Sequence, residues 1–129
     1  GVLMDKQAKI LVVDDDPDVQ EDCRLVLESK GYAVTVASSG AEGRAAMARD
    51  PADVVLLDVM MEEADAGFVT ARWLNEQFPN VPVIMLSSIA DAADGIFDVS
   101  TLKVAVMVNK PISPKDLLQT VARLIEAHA

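Results

Sequence analysis

The chain has 129 residues and a formal charge of −10, the size of one domain with a core of its own. That charge argues against a direct grip on nucleic acid, which demands clustered Lys and Arg, and no run of about twenty apolar residues is present to span a membrane. The only cysteine, Cys23, rules out an internal disulfide framework and suits a reducing cytoplasm.

The opening Gly1-Val2-Leu3-Met4-Asp5-Lys6 lacks the charged-then-apolar order of a secretion signal, so a cytoplasmic location is expected. Residues 9–14 and 54–57 are aliphatic runs without polar alternation, as expected of strands covered on both faces. After Pro17 the apolar positions Val19, Cys23, Val26 and Leu27 share one helical face, and Gly31 stops that helix. Tyr32 to Ala37 reads as the second strand. Ser39 and Glu42 have capping-box spacing and open a short helix through Arg49. Phe68 to Phe78 gives the third helix, ended before Pro79. Val81 to Leu86 and Val104 to Val108 read as the fourth and fifth strands. Between them, the alanines and aspartates of Ile89 to Lys103 permit a short fourth helix that Gly95 interrupts. Ser113-Pro114 supplies an N-cap and a first-turn proline, and Leu117, Val121, Leu124 and Ile125 form the stripe of the last helix.

Strands alternating with helices predict an α/β domain on a parallel sheet, where ligands bind outside the carboxyl ends of the strands. Asp14-Asp15-Asp16 closes the run Ile10-Leu11-Val12-Val13, and Asp58 closes Val54-Val55-Leu56-Leu57. Carboxylates are seldom buried without a partner. With the two strands as parallel neighbours, Asp14, Asp15 and Asp58 meet in one crevice that repels itself until a hard cation fills it.

Ser87 follows the fourth apolar run and Lys110 the fifth. With these in place, the strings ILVVDDDPDV, VVLLDVMM, VPVIMLSS and VNKPIS resemble the receiver domain of bacterial two-component response regulators. The resemblance covers residues 8–128, leaving 1–7 as an N-terminal tail in which Gly1 to Leu3 precede a candidate initiator at Met4. It implies a flavodoxin-like fold, a five-stranded parallel sheet of order 2-1-3-4-5 with helices on both faces. It further implies Mg²⁺ as cofactor, phosphorylation of one aspartate by a histidine kinase or phosphotransfer protein, and an output partner, with no membrane or nucleic-acid contact of its own. The chain then stands either alone or as part of a longer protein.

The chemistry agrees with the resemblance. Asp58 is the expected phosphoacceptor, a carboxylate that attacks phosphorus to form an acyl phosphate. Asp14, Asp15, Asp58 and the Met60 carbonyl are the expected metal ligands. Lys110 and the Ser87 hydroxyl are expected on the phosphoryl oxygens. Three carboxylates, one Mg²⁺ and the lysine balance in charge, so an incoming phosphate is not excluded. Plainer roles fit other residues: Asp16 caps the helix that Pro17 begins, Cys23 and the Met60-Met61 pair pack apolar space, and His128 is a solvated residue near a helix end.

The pattern departs from the family in two places. Glu62 stands where receivers usually carry a proline, in a turn reading Glu62-Glu63-Ala64-Asp65-Ala66-Gly67, and Met107 stands where an aromatic residue is usual. Met60 and Ile89, two residues beyond Asp58 and Ser87, offer no polar group to a hydrolytic water, which favours a long-lived phosphoryl group. Other readings fit less well. A dehalogenase-type phosphatase needs a Thr or Val where Asp18 stands. A calcium loop beginning at Asp14 would need glycine at Val19 and glutamate at Leu25. A flavin phosphate loop is incompatible with three aspartates. The remaining alternative is a receiver-like interaction module that works by protein contact without phosphorylation.

Overall fold

The computed structural model describes residues 7–58, 66–87, 106–109 and 113–127. Five strands, β1 (Lys9–Val13), β2 (Ala33–Ala37), β3 (Val54–Asp58), β4 (Val83–Ser87) and β5 (Val106–Asn109), form one parallel sheet of order β2-β1-β3-β4-β5. The described helices are α1 (Pro17–Glu28), α2 (Gly40–Arg49), α3 (Ala66–Gln77) and α4 (Pro114–Ala127). This is the doubly covered sheet expected from the alternation of apolar runs and helical stripes. The helix expected within Ile89 to Lys103 lies outside the described residues.

Two cores sandwich the sheet, and strand periodicity assigns residues to them. On one face Leu11, Val13, Val55, Leu57, Val83 and Met85 pack with Met47 of α2 and Ala71 and Leu74 of α3. On the other, Ile10, Val12, Val54, Leu56, Ile84 and Leu86 pack with Cys23 and Leu27 of α1 and Leu117 and Val121 of α4. Both faces of β1, β3 and β4 are buried, which is why their sequences show no polar alternation. Cys23 belongs to this core, as expected.

Local chemistry sets the element ends. Asp16 caps α1, its Oδ1 accepting the Asp18 N–H at 2.9 Å. Ser39 Oγ accepts the Glu42 N–H at 3.1 Å, but the returning Glu42 carboxylate takes the N–H of Ser38 rather than that of the cap residue. After α1, the Gly31 N–H bonds Glu28 O and the Tyr32 N–H bonds Leu27 O, with Gly31 at φ +87°. That is a Schellman ending with glycine in the left-handed region.

The same bonds explain two boundary corrections. Tyr32 spends its N–H on the helix end and joins no strand. Val81 donates to Phe78 O in a turn, and Pro82 has no N–H to give, so β4 begins only at Val83. Helix α3 starts at Ala66, two residues ahead of the expected Phe68.

At the amino edge of the sheet, Lys9 Nζ meets Asp50 Oδ1 at 2.6 Å. The Lys9 N–H donates to Asp53 Oδ2, and the Asp53 N–H returns to Lys9 O, both at 2.8 Å. At this edge ionic and backbone bonds tie β1 to the segment between α2 and β3. At the carboxyl edge the ends of β1 and β3 carry acidic residues instead.

Candidate functional site

The site follows from register. Val13 of β1 pairs with Leu57 of β3, so the next residues, Asp14 and Asp58, leave adjacent strands at the same level. Asp14, Asp15 and Asp58 each offer a carboxylate oxygen, and these oxygens lie within 4.8 Å of one another. Asp14 is fully buried, Asp58 is 3% exposed and Asp15 is half-buried. Like charges at this spacing repel by roughly 3 kcal/mol per pair at an effective dielectric constant near 20. An all-oxygen donor set in a partly buried crevice is what a hard divalent cation requires, and Mg²⁺ retains several waters when so few carboxylates hold it. The donors present fit that ion.

The loop from β1 to α1 is pinned from several directions. The Asp14 N–H donates to Ala37 O at 3.0 Å, and Asp14 Oδ1 accepts the Asp16 N–H at 2.9 Å. The Gln20 side-chain amide donates to the Asp14 carbonyl at 2.5 Å and to Ser38 Oγ at 2.9 Å. Sequence reasoning did not single out Gln20. Gln20 lies three residues before Cys23 and seven before Leu27, beside the buried face of α1, but a glutamine there does not reveal its partners, which come from loops that only the folded sheet brings together.

The structure brings together three of the residues selected from sequence, Asp14, Asp15 and Asp58. Asp58 pairs with Leu86 across the β3–β4 ladder, and Ser87, the next residue, pairs with Asn109 of β5. Ser87 and Asn109 therefore end neighbouring strands at the same carboxyl edge. The Ser87 side chain, Met60, Lys110 and His128 lie outside what is described, as do Glu62, Ile89 and the Met107 side chain.

A parallel sheet of this order with an acidic crevice at the end of its first and third strands defines a receiver-type module. The sequence matches the response regulator receiver domain over residues 10–122. Among curated proteins it is 34% identical over 118 residues to the transcriptional regulatory protein GltR of Pseudomonas aeruginosa, covering 90% of this chain and 48% of that protein. It is 32% identical over 116 residues to the response regulator SaeR of Staphylococcus aureus, covering 90% of this chain and 50% of that protein. The chain thus spans about half the length of these relatives. The CheY-like receiver domain protein of Methanospirillum hungatei superimposes with a TM-score of 0.86 at 24% identity, covering 95% of this chain and 97% of that one. The chain belongs to the response regulator receiver domain family. Such domains are signalling phosphoacceptors that catalyse only their own phosphorylation and dephosphorylation. The clustered Asp14, Asp15 and Asp58 form the acidic, Mg²⁺-binding pocket typical of them. Among the described residues, no helix is long and apolar enough to cross a membrane.

Proposed function

We propose that Asp58 is the residue that accepts the phosphoryl group, from the phosphohistidine of a cognate kinase or phosphotransfer protein, and that the phosphorylated domain presents a changed surface to an output partner. The observation that carries this reading is the position of Asp58: a nearly buried carboxylate at the end of central strand β3, level with Asp14 and within ligand distance of Asp14 and Asp15. Asp16, by contrast, is engaged as a helix cap.

The steps follow from these residues. A carboxylate oxygen of Asp58 attacks phosphorus as the phosphorus–nitrogen bond of the donor breaks, and the imidazole departs with the electron pair. Asp14, Asp15 and Asp58 would hold Mg²⁺, with the Met60 carbonyl expected as a further oxygen ligand. When bound, the ion offsets the negative charge that would otherwise repel the donor. Ser87, at the end of β4, and Lys110, which follows β5 in the sequence, would donate hydrogen bonds to phosphoryl oxygens. The pocket is preorganised because β1 and β3 are fixed on both faces.

The test is mass spectrometry after incubation with acetyl phosphate. The chain should gain one phosphoryl group in the presence of Mg²⁺ and none in EDTA, and Asp58→Asn should gain none. Equal labelling of Asp58→Asn would move the chemistry to another residue. No labelling of the parent chain under any condition would favour a module that acts by contact alone.

A further inference from the structure

We propose that Gln20 is a positioning residue for the metal pocket, acting on Asp15 through the backbone. The proposal rests on Asp14, Asp15 and Asp58 being the Mg²⁺ site.

Asp15 is the half-buried member of the carboxylate cluster, and it sits between two peptide groups that are both anchored. The peptide after it is held through its N–H: Asp16 N donates to Asp14 Oδ1 at 2.9 Å. The peptide before it is held through its carbonyl: Asp14 O accepts from Gln20 Nε2 at 2.5 Å. With both peptide planes fixed, the backbone dihedrals of Asp15 are fixed, and so is the direction in which its side chain leaves the chain. The same Gln20 amide donates to Ser38 Oγ at 2.9 Å. Ser38 is in turn tied by its own N–H to the Glu42 carboxylate at 3.1 Å, so the anchor extends to the start of α2. Asp14 is additionally held by its N–H on Ala37 O.

Asp15 has no strand to hold it, since β1 ends at Val13. Orientation must therefore come from these bonds. Outer groups that orient ligands commonly carry a factor of about 10 to 100 in metal affinity. An amide suits the task, because it donates two hydrogen bonds to two acceptors without adding charge to the crevice. A carboxylate of the same shape at this position would lose the bond to the Asp14 carbonyl, facing it as another acceptor, and could keep only the Ser38 contact by accepting the hydroxyl proton.

Mg²⁺ titration by calorimetry on the full chain, with melting curves in EDTA, tests the assignment. Gln20→Ala leaves a good helix former on a half-exposed site, so it should fold with little change in metal-free melting temperature and bind Mg²⁺ about tenfold more weakly. Gln20→Glu separates geometry from charge: positioning predicts weaker Mg²⁺ binding, whereas a purely electrostatic role predicts tighter binding. Ser38→Ala should weaken Mg²⁺ binding in the parent chain and have no further effect in the Gln20→Ala chain, the signature of coupled groups. Parent-like Mg²⁺ affinity in Gln20→Ala, or tighter binding in Gln20→Glu, would overturn the role of Gln20 while leaving the metal site standing. A parent chain that binds no Mg²⁺ would instead overturn the metal site, and this proposal with it.

Discussion

Within the acidic cluster each aspartate has a different second task, and this decides what its removal does. Asp14 is buried and helps hold the loop through its bond to the Asp16 N–H. Asp58 ends a strand buried on both faces. Asp15 is more exposed and is the one whose loss least disturbs the fold. Asp15→Ala is therefore expected to relieve repulsion, raising the melting temperature of the metal-free protein by a few degrees. It should also abolish the rise that Mg²⁺ brings to the parent, about 1.4 kcal/mol at ten times Kd by mass action. Differential scanning calorimetry with and without Mg²⁺ checks both signs, and a Mg²⁺-induced rise that survives in Asp15→Ala would remove Asp15 from the ligand set. A second expectation concerns Met60 and Ile89. Neither side chain can polarise a hydrolytic water, so the phosphorylated chain should persist for many minutes, and Met60→Asn should shorten that life severalfold. Rapid phosphate release from the parent, slowed by Glu62→Pro, would assign the hydrolytic group to the acidic turn instead.

At the scale of elements, the close approach of α2 to β1 makes a sharp prediction. A Cβ built on Gly43 would lie 2.9 Å from Val13 Cγ2 and 3.3 Å from its Cγ1. Val13 is fully buried and β-branched, so it has no room to turn away. Gly43→Ala gains about 1 kcal/mol of helix propensity yet is expected to destabilise the protein by roughly 1–2 kcal/mol through overpacking. In a Val13→Ala background the same change should be neutral or stabilising, which a denaturation double-mutant cycle would show. Gly31 differs: nothing lies within 4 Å of its would-be Cβ, and only its φ of +87° selects glycine. Gly31→Ala should cost about 1 kcal/mol from backbone strain alone, whatever stands nearby. These elements were unevenly legible in the sequence. The unbroken runs Ile10 to Val13 and Val54 to Leu57 announced their strands and placed Asp14, Asp15 and Asp58, because runs this short and rich in β-branched residues suit strands covered on both faces. Tyr32 and Val81 look equally strand-like, but a helix ending and a turn took their N–H groups. Gln20 was invisible because its two acceptors belong to loops separated in the chain.

For the whole molecule, the two edges of the sheet behave differently. The amino edge is tied by Lys9, Asp50 and Asp53 independently of any ion. The carboxyl edge concentrates like charge. Hydrogen exchange should reflect this: Mg²⁺ is expected to slow exchange at the amides of Asp14 and Asp16 severalfold, while leaving the Lys9 and Asp53 amides unchanged. Uniform slowing across the sheet would mean the ion stabilises the fold globally rather than at the crevice. The strand order adds a temporal consequence. Because β1 lies between β2 and β3, all three clustered carboxylates come from residues up to Asp58, and the three strands that bring them together pair only with one another until β4 arrives. On a ribosome adding about 5–20 residues per second, Lys110 emerges some seconds after Asp58. All three carboxylates of the crevice are thus synthesised before Lys110, the cation expected to face them, and a metal ion from solution is available to them first.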